Sequence, residues 1–147
     1  MVTQALCIIF ERDLNKLKEE IRLYKSEDNI WKTANDVNNS AGNLCLHLIG
    51  NLNHFIGAIL GKTGYVRERN KEFSDKNIPI EKINNDIDAT IIMVKNVLNN
   101  ISDETLYSPF PEKKQGQEHP SIFILMHLLA HLEYHVGQIN YHRRLLD

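Results

Sequence analysis

PSIFILMHLLAHLEYHVGQINYHRRLL, residues 120–146, decides the fold. Proline at its head suits the first turn of a helix, where its missing N–H costs nothing. No further proline follows, and Leu128, Leu132 and Ile139 recur at helical spacing. From Ser121 to Leu132 the stretch is apolar almost all round apart from its histidines, so this is expected to be the most buried helix. His127, His131, His135 and His142 are spaced 4, 4 and 7. At roughly 100° per residue they share one narrow face beside the apolar stripe. Two histidines one turn apart lie about 6 Å apart at Cβ and can converge on one ion through bonds of about 2.0–2.1 Å.

Working outward, the same periodicity covers three more segments. Leu6, Phe10, Leu14, Leu17, Ile21 and Tyr24 predict a first helix from about residue 3 to 25, ended by the polar run 25–29. Asn38, Asn39 and Ser40 form a cap cluster, and the second helix then runs to about Leu60, stopped by Gly61 and Gly64. It carries His47 and His54 at the edge of the stripe made by Leu44, Leu48, Asn51, Leu52 and Phe55. A third helix starts near Pro79, with Ile80, Ile83, Ile87, Ile91, Val94, Leu98 and Ile101 on one face. No stretch alternates with period two, so a sheet is not expected.

About 18 residues, Gly61 to Ile78, separate the second and third helices. At roughly 3.3 Å per residue such a segment can run the length of a 20-residue helix, about 30 Å. The third helix can therefore run parallel to the second, and an all-α four-helix bundle with a crossover is the architecture expected.

With 147 residues the chain is read as one domain, 1–147, able to bury its own core without disulfides. A net charge of -2 argues against nucleic acid as a partner. Cys7 and Cys45 each sit in an apolar run and read as two buried thiols in a reducing compartment. The N-terminus lacks a basic leader, and its apolar run from Ala5 to Phe10 stops at Glu11-Arg12-Asp13, unlike a signal peptide or anchor. No run of about 18 apolar residues is apparent, so no membrane span and a cytoplasmic location are expected.

His131-Leu-Glu-Tyr-His135-Val-Gly137-Gln138-Ile139 resembles the signature of the DinB-like family, whose last helix carries H-x-x-x-H followed closely by G-Q-I. Leu46-His47-Leu48-Ile49-Gly50-Asn51-Leu52 resembles that family's second-helix segment, and residues 67–73 resemble the following loop in an uncharacterised branch. The resemblance covers essentially the whole chain. It implies a four-helix bundle with the second and third helices parallel, and one divalent metal ion on His47, His131 and His135. His54, His127 and His142 have no place in the motif, His54 being the nearest substitute. Gln138, one turn beyond His135, can orient a ligand or a metal-bound water, or make a helix–helix hydrogen bond. Asn51, one turn from His47, is a further candidate for the surroundings of the metal. Gly137 is read as permitting close packing, and Glu133 as facing solvent or a dimer surface.

Three neutral nitrogens with a vacant position characterise catalytic rather than closed structural sites. Imidazoles suit zinc, nickel or iron. The resemblance implies membership of a superfamily of bacterial thiol S-transferases, in which a metal activates a low-molecular-weight thiol against an electrophile. Metal-assisted hydrolysis is a second reading, weakened because no clear general base accompanies the histidines. A non-enzymatic stress-related metal-binding or assembly protein is a third. Trp31, Tyr65 and Phe73 are the aromatic candidates for walls of a pocket or for caps on the bundle end. Met126 and Ala130, on the far side of the last helix, lead to the expectation of a homodimer.

Overall fold

In the computed structural model, which describes residues 2–147, every regular element is a helix, and no strand forms among the described residues. The order is α1 (Val2–Arg22), α2 (Glu27–Ile30), α3 (Ala41–Leu52), a π-helical continuation (Asn53–Leu60), α4 (Arg69–Ser74), α5 (Ile80–Asn100), α6 (Asp103–Tyr107) and α7 (Ser121–Leu146). The four long segments read from periodicity are α1, α3 with its π continuation, α5 and α7. Three short helices fill the connections between them.

Local chemistry explains the boundaries. Ser40 caps α3: its Oγ accepts the Asn43 N–H at 3.1 Å. Pro79 and Pro120 stand at the N-cap positions of α5 and α7, one residue ahead of the expected first turn, in extended backbone. Gly61 ends the π-helical segment.

α1 packs against α5 and α7, and α3 packs against α5, α7 and α4. Along α1 and its C-terminal extension, the residues paired with α7 climb together, from Lys16 with Glu133, through Glu20 with Asn140, to Tyr24 with His142. Between the second and third long segments they also climb together. Asn53 donates to Thr90 at 2.9 Å, a Cβ on Gly57 would lie 3.3 Å from Met93 Sδ, and one on Gly61 would meet Val97. Phe10, Leu14, Leu17, Ile21, Leu48, Leu52, Ile83, Ile87, Leu98, Leu125 and Leu132 are among the side chains that meet at the centre.

Two expectations are corrected here. α7 is not the most buried helix. That is α3, in which Ala41 to Cys45, His47, Leu48 and Gly50 to Leu52 are all buried. α3 is covered by α5, α7 and α4 together, whereas α7 leaves an outer face with Phe123, Met126, Tyr134, Tyr141 and Leu145 in solvent. The expectation that no helix is apolar enough to cross a membrane is corrected by the composition of the second long segment. Ala41–Leu60 is, by length and composition alone, with mean hydropathy 1.2, and 56% of the stretch is buried inside the fold. Its apolar residues, Leu44, Cys45, Leu48, Leu52 and Ile56, face the core.

A candidate metal centre

α7 presents His131 and His135 one turn apart, and α3 presents His47 opposite them. The Nε2 atoms of His47 and His131 are 3.2 Å apart, and those of His131 and His135 are 3.0 Å apart. Ligand atoms of all three lie within 4.8 Å of one another. Tetrahedral bonds of about 2.0–2.1 Å set nitrogens about 3.3 Å apart, so the set can hold one ion in the zinc, nickel or iron class.

The outer nitrogens orient two of the rings. His47 Nδ1 donates to Glu72 Oε1 at 3.0 Å, and His135 Nδ1 donates to Gln138 Oε1 at 2.7 Å. Both rings are thereby held with Nε2 bare and facing the common point, as metal-bound histidines require. His131 Nδ1 is buried without a hydrogen-bond partner among the described residues. Phe73 packs against the His47 ring at 5.0 Å.

Glu72 went unread in the sequence, and it is the carboxylate beside the histidines. It is buried, and Arg67 grips it through Nε and Nη2 at 2.8 Å each. Space for it exists because residue 50 is glycine: a Cβ there would collide with the Glu72 carboxylate. Asn43 holds the end of α4 in place, its Nδ2 donating to the carbonyls of Glu72 at 3.0 Å and Asp75 at 2.8 Å. A residue between 67 and 73 in a non-periodic segment carries no spacing signal. Its only sequence clue was the likeness of that loop.

The electrostatics favour unprotonated rings. Burial is the first cause of a lowered pKa at all three histidines. At His131 the neighbouring His135 and His47 add to it and push the value down to about 3. Glu72 opposes the shift at His47, and Gln138 opposes it at His135.

The remaining candidates part company. His142 is structural: Nε2 donates to the Lys32 carbonyl at 2.7 Å, and Nδ1 accepts from the Tyr24 hydroxyl at 2.6 Å. His54 lies 3.4 Å from Glu112, outside the trio. His127 stacks on His131, ring centroids 6.5 Å apart, but is not one of the three. Asn51 is buried with its Oδ1 unpartnered among the described residues, and it makes no hydrogen bond to the trio. Gly137 does not serve close packing, since a Cβ there would meet nothing within 4 Å. Glu133 is partly in solvent and stands against α1, where burial and the neighbouring Asp13 raise its pKa. Trp31 packs against Gly42, and Tyr65 lies in a groove beside Glu72. Cys7 and Cys45 are free, buried thiols, and complete burial pushes the Cys45 pKa up, so it is no ready nucleophile.

A cavity of about 410 Å³ opens beside His135, walled also by Gln138, Tyr141, Leu44 and Asn38 among others. Among relatives, a family model described as a protein of unknown function (DUF1572) matches residues 9–147. No curated protein matches the chain.

Proposed function

The chain belongs to the DUF1572 family, and from that premise we propose that it is a DinB-like metalloprotein, a metal-dependent transferase acting with a low-molecular-weight thiol. The observation that carries the reading is the convergence of three imidazole nitrogens, two of them 3.0 Å and two 3.2 Å apart, beside a cavity. A single DinB-like four-helix bundle over residues 1–147, with a crossover between parallel second and third helices, belongs to the same proposal. Its support is the ascending register from Asn53 with Thr90 to Gly61 with Val97.

His47, His131 and His135 would hold one divalent ion. When bound, such an ion lowers the pKa of a thiol or water in its open position. The chain's own part is orientation. Glu72 fixes the His47 tautomer, Gln138 fixes that of His135, and Phe73 packs against the His47 ring. Glu72 is committed to Arg67 and His47, which leaves no free carboxylate to draw a proton from water, and so thiol chemistry is preferred to hydrolysis. A homodimer through the outer face of α7, and a reducing cytoplasmic setting for the two free thiols, complete the proposal.

Protein purified without a histidine tag should carry about one ion per chain by elemental mass spectrometry, and His131→Ala should lose it. Wild type that stays metal-free after incubation with zinc, nickel and iron above pH 7 would sink the metal reading. If metal binds, calorimetry with 2-mercaptoethanol should show binding to loaded protein and none to metal-free protein. Equal behaviour of the two forms would leave a metal-binding protein without thiol chemistry.

A further inference from the structure

The connection between α6 and α7 folds back on itself. Pro109 bridges Pro120, and the Phe110 N–H donates to the His119 carbonyl at 2.8 Å, with Phe110 buried in the core. At the tip, Lys114 and Gln117 exchange both backbone hydrogen bonds, each 2.9 Å, across Gln115 and Gly116. Those two residues have φ of 50° and 77°, the conformation a two-residue hairpin turn demands. Lys114 is thus presented from a braced turn rather than a loose loop.

Its half-buried side chain lines a cleft of about 90 Å³ with an apolar floor of Phe55, Phe110, Ile124 and Leu128. Among the described residues no carboxylate comes within ion-pair distance of Lys114. Glu112, at the same cleft, is turned to His54 at 3.4 Å. On α7, His127 stands beside the floor residue Leu128 and makes no side-chain hydrogen bond among the described residues, its ring stacked on that of His131. Burial and then the Lys114 charge lower the His127 pKa, and the same charge bears on His131. The cleft therefore carries an ammonium without a counter-ion, and its floor residue Leu128 adjoins on α7 an imidazole that stacks on His131 of the trio.

We propose that this cleft is an acid subsite: it takes the carboxylate of a small organic acid, with Lys114 as counter-ion and His127 as hydrogen-bond donor, while the other end of the molecule reaches the point where His47, His131 and His135 converge. Lys113 also lines the cleft but is exposed to solvent, which leaves the half-buried Lys114 as the less screened ammonium, and a monoanion matches it. A phosphate dianion would want an arginine fork or a helix N-terminus, and neither lines the cleft. The volume admits a head group and a methylene or two rather than a ring system. Leu128 and His131 are three residues apart on α7, a rise of about 5 Å. That span fits a thiol and a carboxylate separated by two carbons. The subsite deepens the thiol reading, and rests on it only for the end that reaches the histidines.

The test compares 3-mercaptopropionate with its uncharged amide on zinc-loaded protein by calorimetry. Wild type should bind the acid about tenfold more tightly than the amide. Lys114→Ala should lose that preference while binding the amide as before, and Lys114→Arg should retain most of it. A preference that survives in Lys114→Ala, or is missing in wild type, overturns the subsite. If neither thiol binds, the thiol reading fails on its own. The subsite is then read on metal-free protein with butanoate against butanamide by ligand-observed magnetic resonance. A preference for the acid that disappears in Lys114→Ala supports it, and equal or absent binding overturns it.

Discussion

Gly50 and Glu72 share one volume: the missing side chain of the first makes room for the carboxylate of the second, which in turn holds His47. Removing such a partner of a metal-bound histidine typically costs 10–100-fold in metal affinity. Glu72→Ala should therefore weaken zinc binding by about that factor in a chelator competition, although it touches no metal position. Gly50→Ala should move affinity in the same direction by displacing the carboxylate, and unchanged affinity in both variants would deny Glu72 its positioning role. The pKa shifts add a pH dependence. All three histidines have folded values below the ordinary one of about 6.5, so below that pH the unfolded chain binds more protons. Their contribution is fully present above pH 6.5 or so and is lost as pH falls, for His131 down to about 3. Metal-free wild type should lose more thermal stability between pH 7.5 and 5 than His131→Gln does. Equal losses in a melting experiment would contradict the burial of the ring.

At the scale of elements, α3 and α4 act as one unit. Ser40 caps α3 and also donates to Asn43 Oδ1 at 2.7 Å, and Asn43 secures the last turn of α4, which bears Glu72. Ser40→Ala should cost about 1 kcal/mol in denaturant unfolding, the usual cost of losing a cap. Asn43→Ala should weaken metal binding as well as the fold, because α4 then loses its tether, and stability loss with full metal affinity would refute that coupling. Long helices were legible because periodicity accumulates over many residues, as in the stripe from Leu6 to Tyr24. α2, α4 and α6 have 4, 6 and 5 residues. Helices that short are not stable alone and form only against a neighbour, which spacing does not record. The same holds for the burial ranking of α3 over α7, since the cover supplied by α4 lies in a stretch without period.

For the whole molecule, the outer face of α7 is an apolar surface left uncovered by the other helices. Phe123, Met126, Tyr134, Tyr141 and Leu145 are exposed along it, between 43% and 76%, with open space above Gly137 in their midst. A proposed second copy covering this stripe would also border the cavity beside His135, which Tyr141 and Leu145 help to line. Light scattering after size exclusion should give a dimer for wild type and a monomer for the double variant Tyr134→Lys, Tyr141→Lys. A monomeric wild type would end the dimer reading.

Taken alone, the amino-acid sequence determined where the long helices lie and that His131 and His135 point the same way. Both are properties of one helix, in which 3.6 residues per turn fixes the angle between side chains before any packing occurs. It also placed His47 by likeness to known second-helix segments. Tertiary structure alone decided that His47 faces the pair while His142 turns to Tyr24 and Lys32, that Glu72 and Arg67 close round His47, and that Gly137 looks outward. Relations between helices depend on how each is rotated and shifted against the rest, and that is settled by the packing of the entire core rather than by any local run of residues.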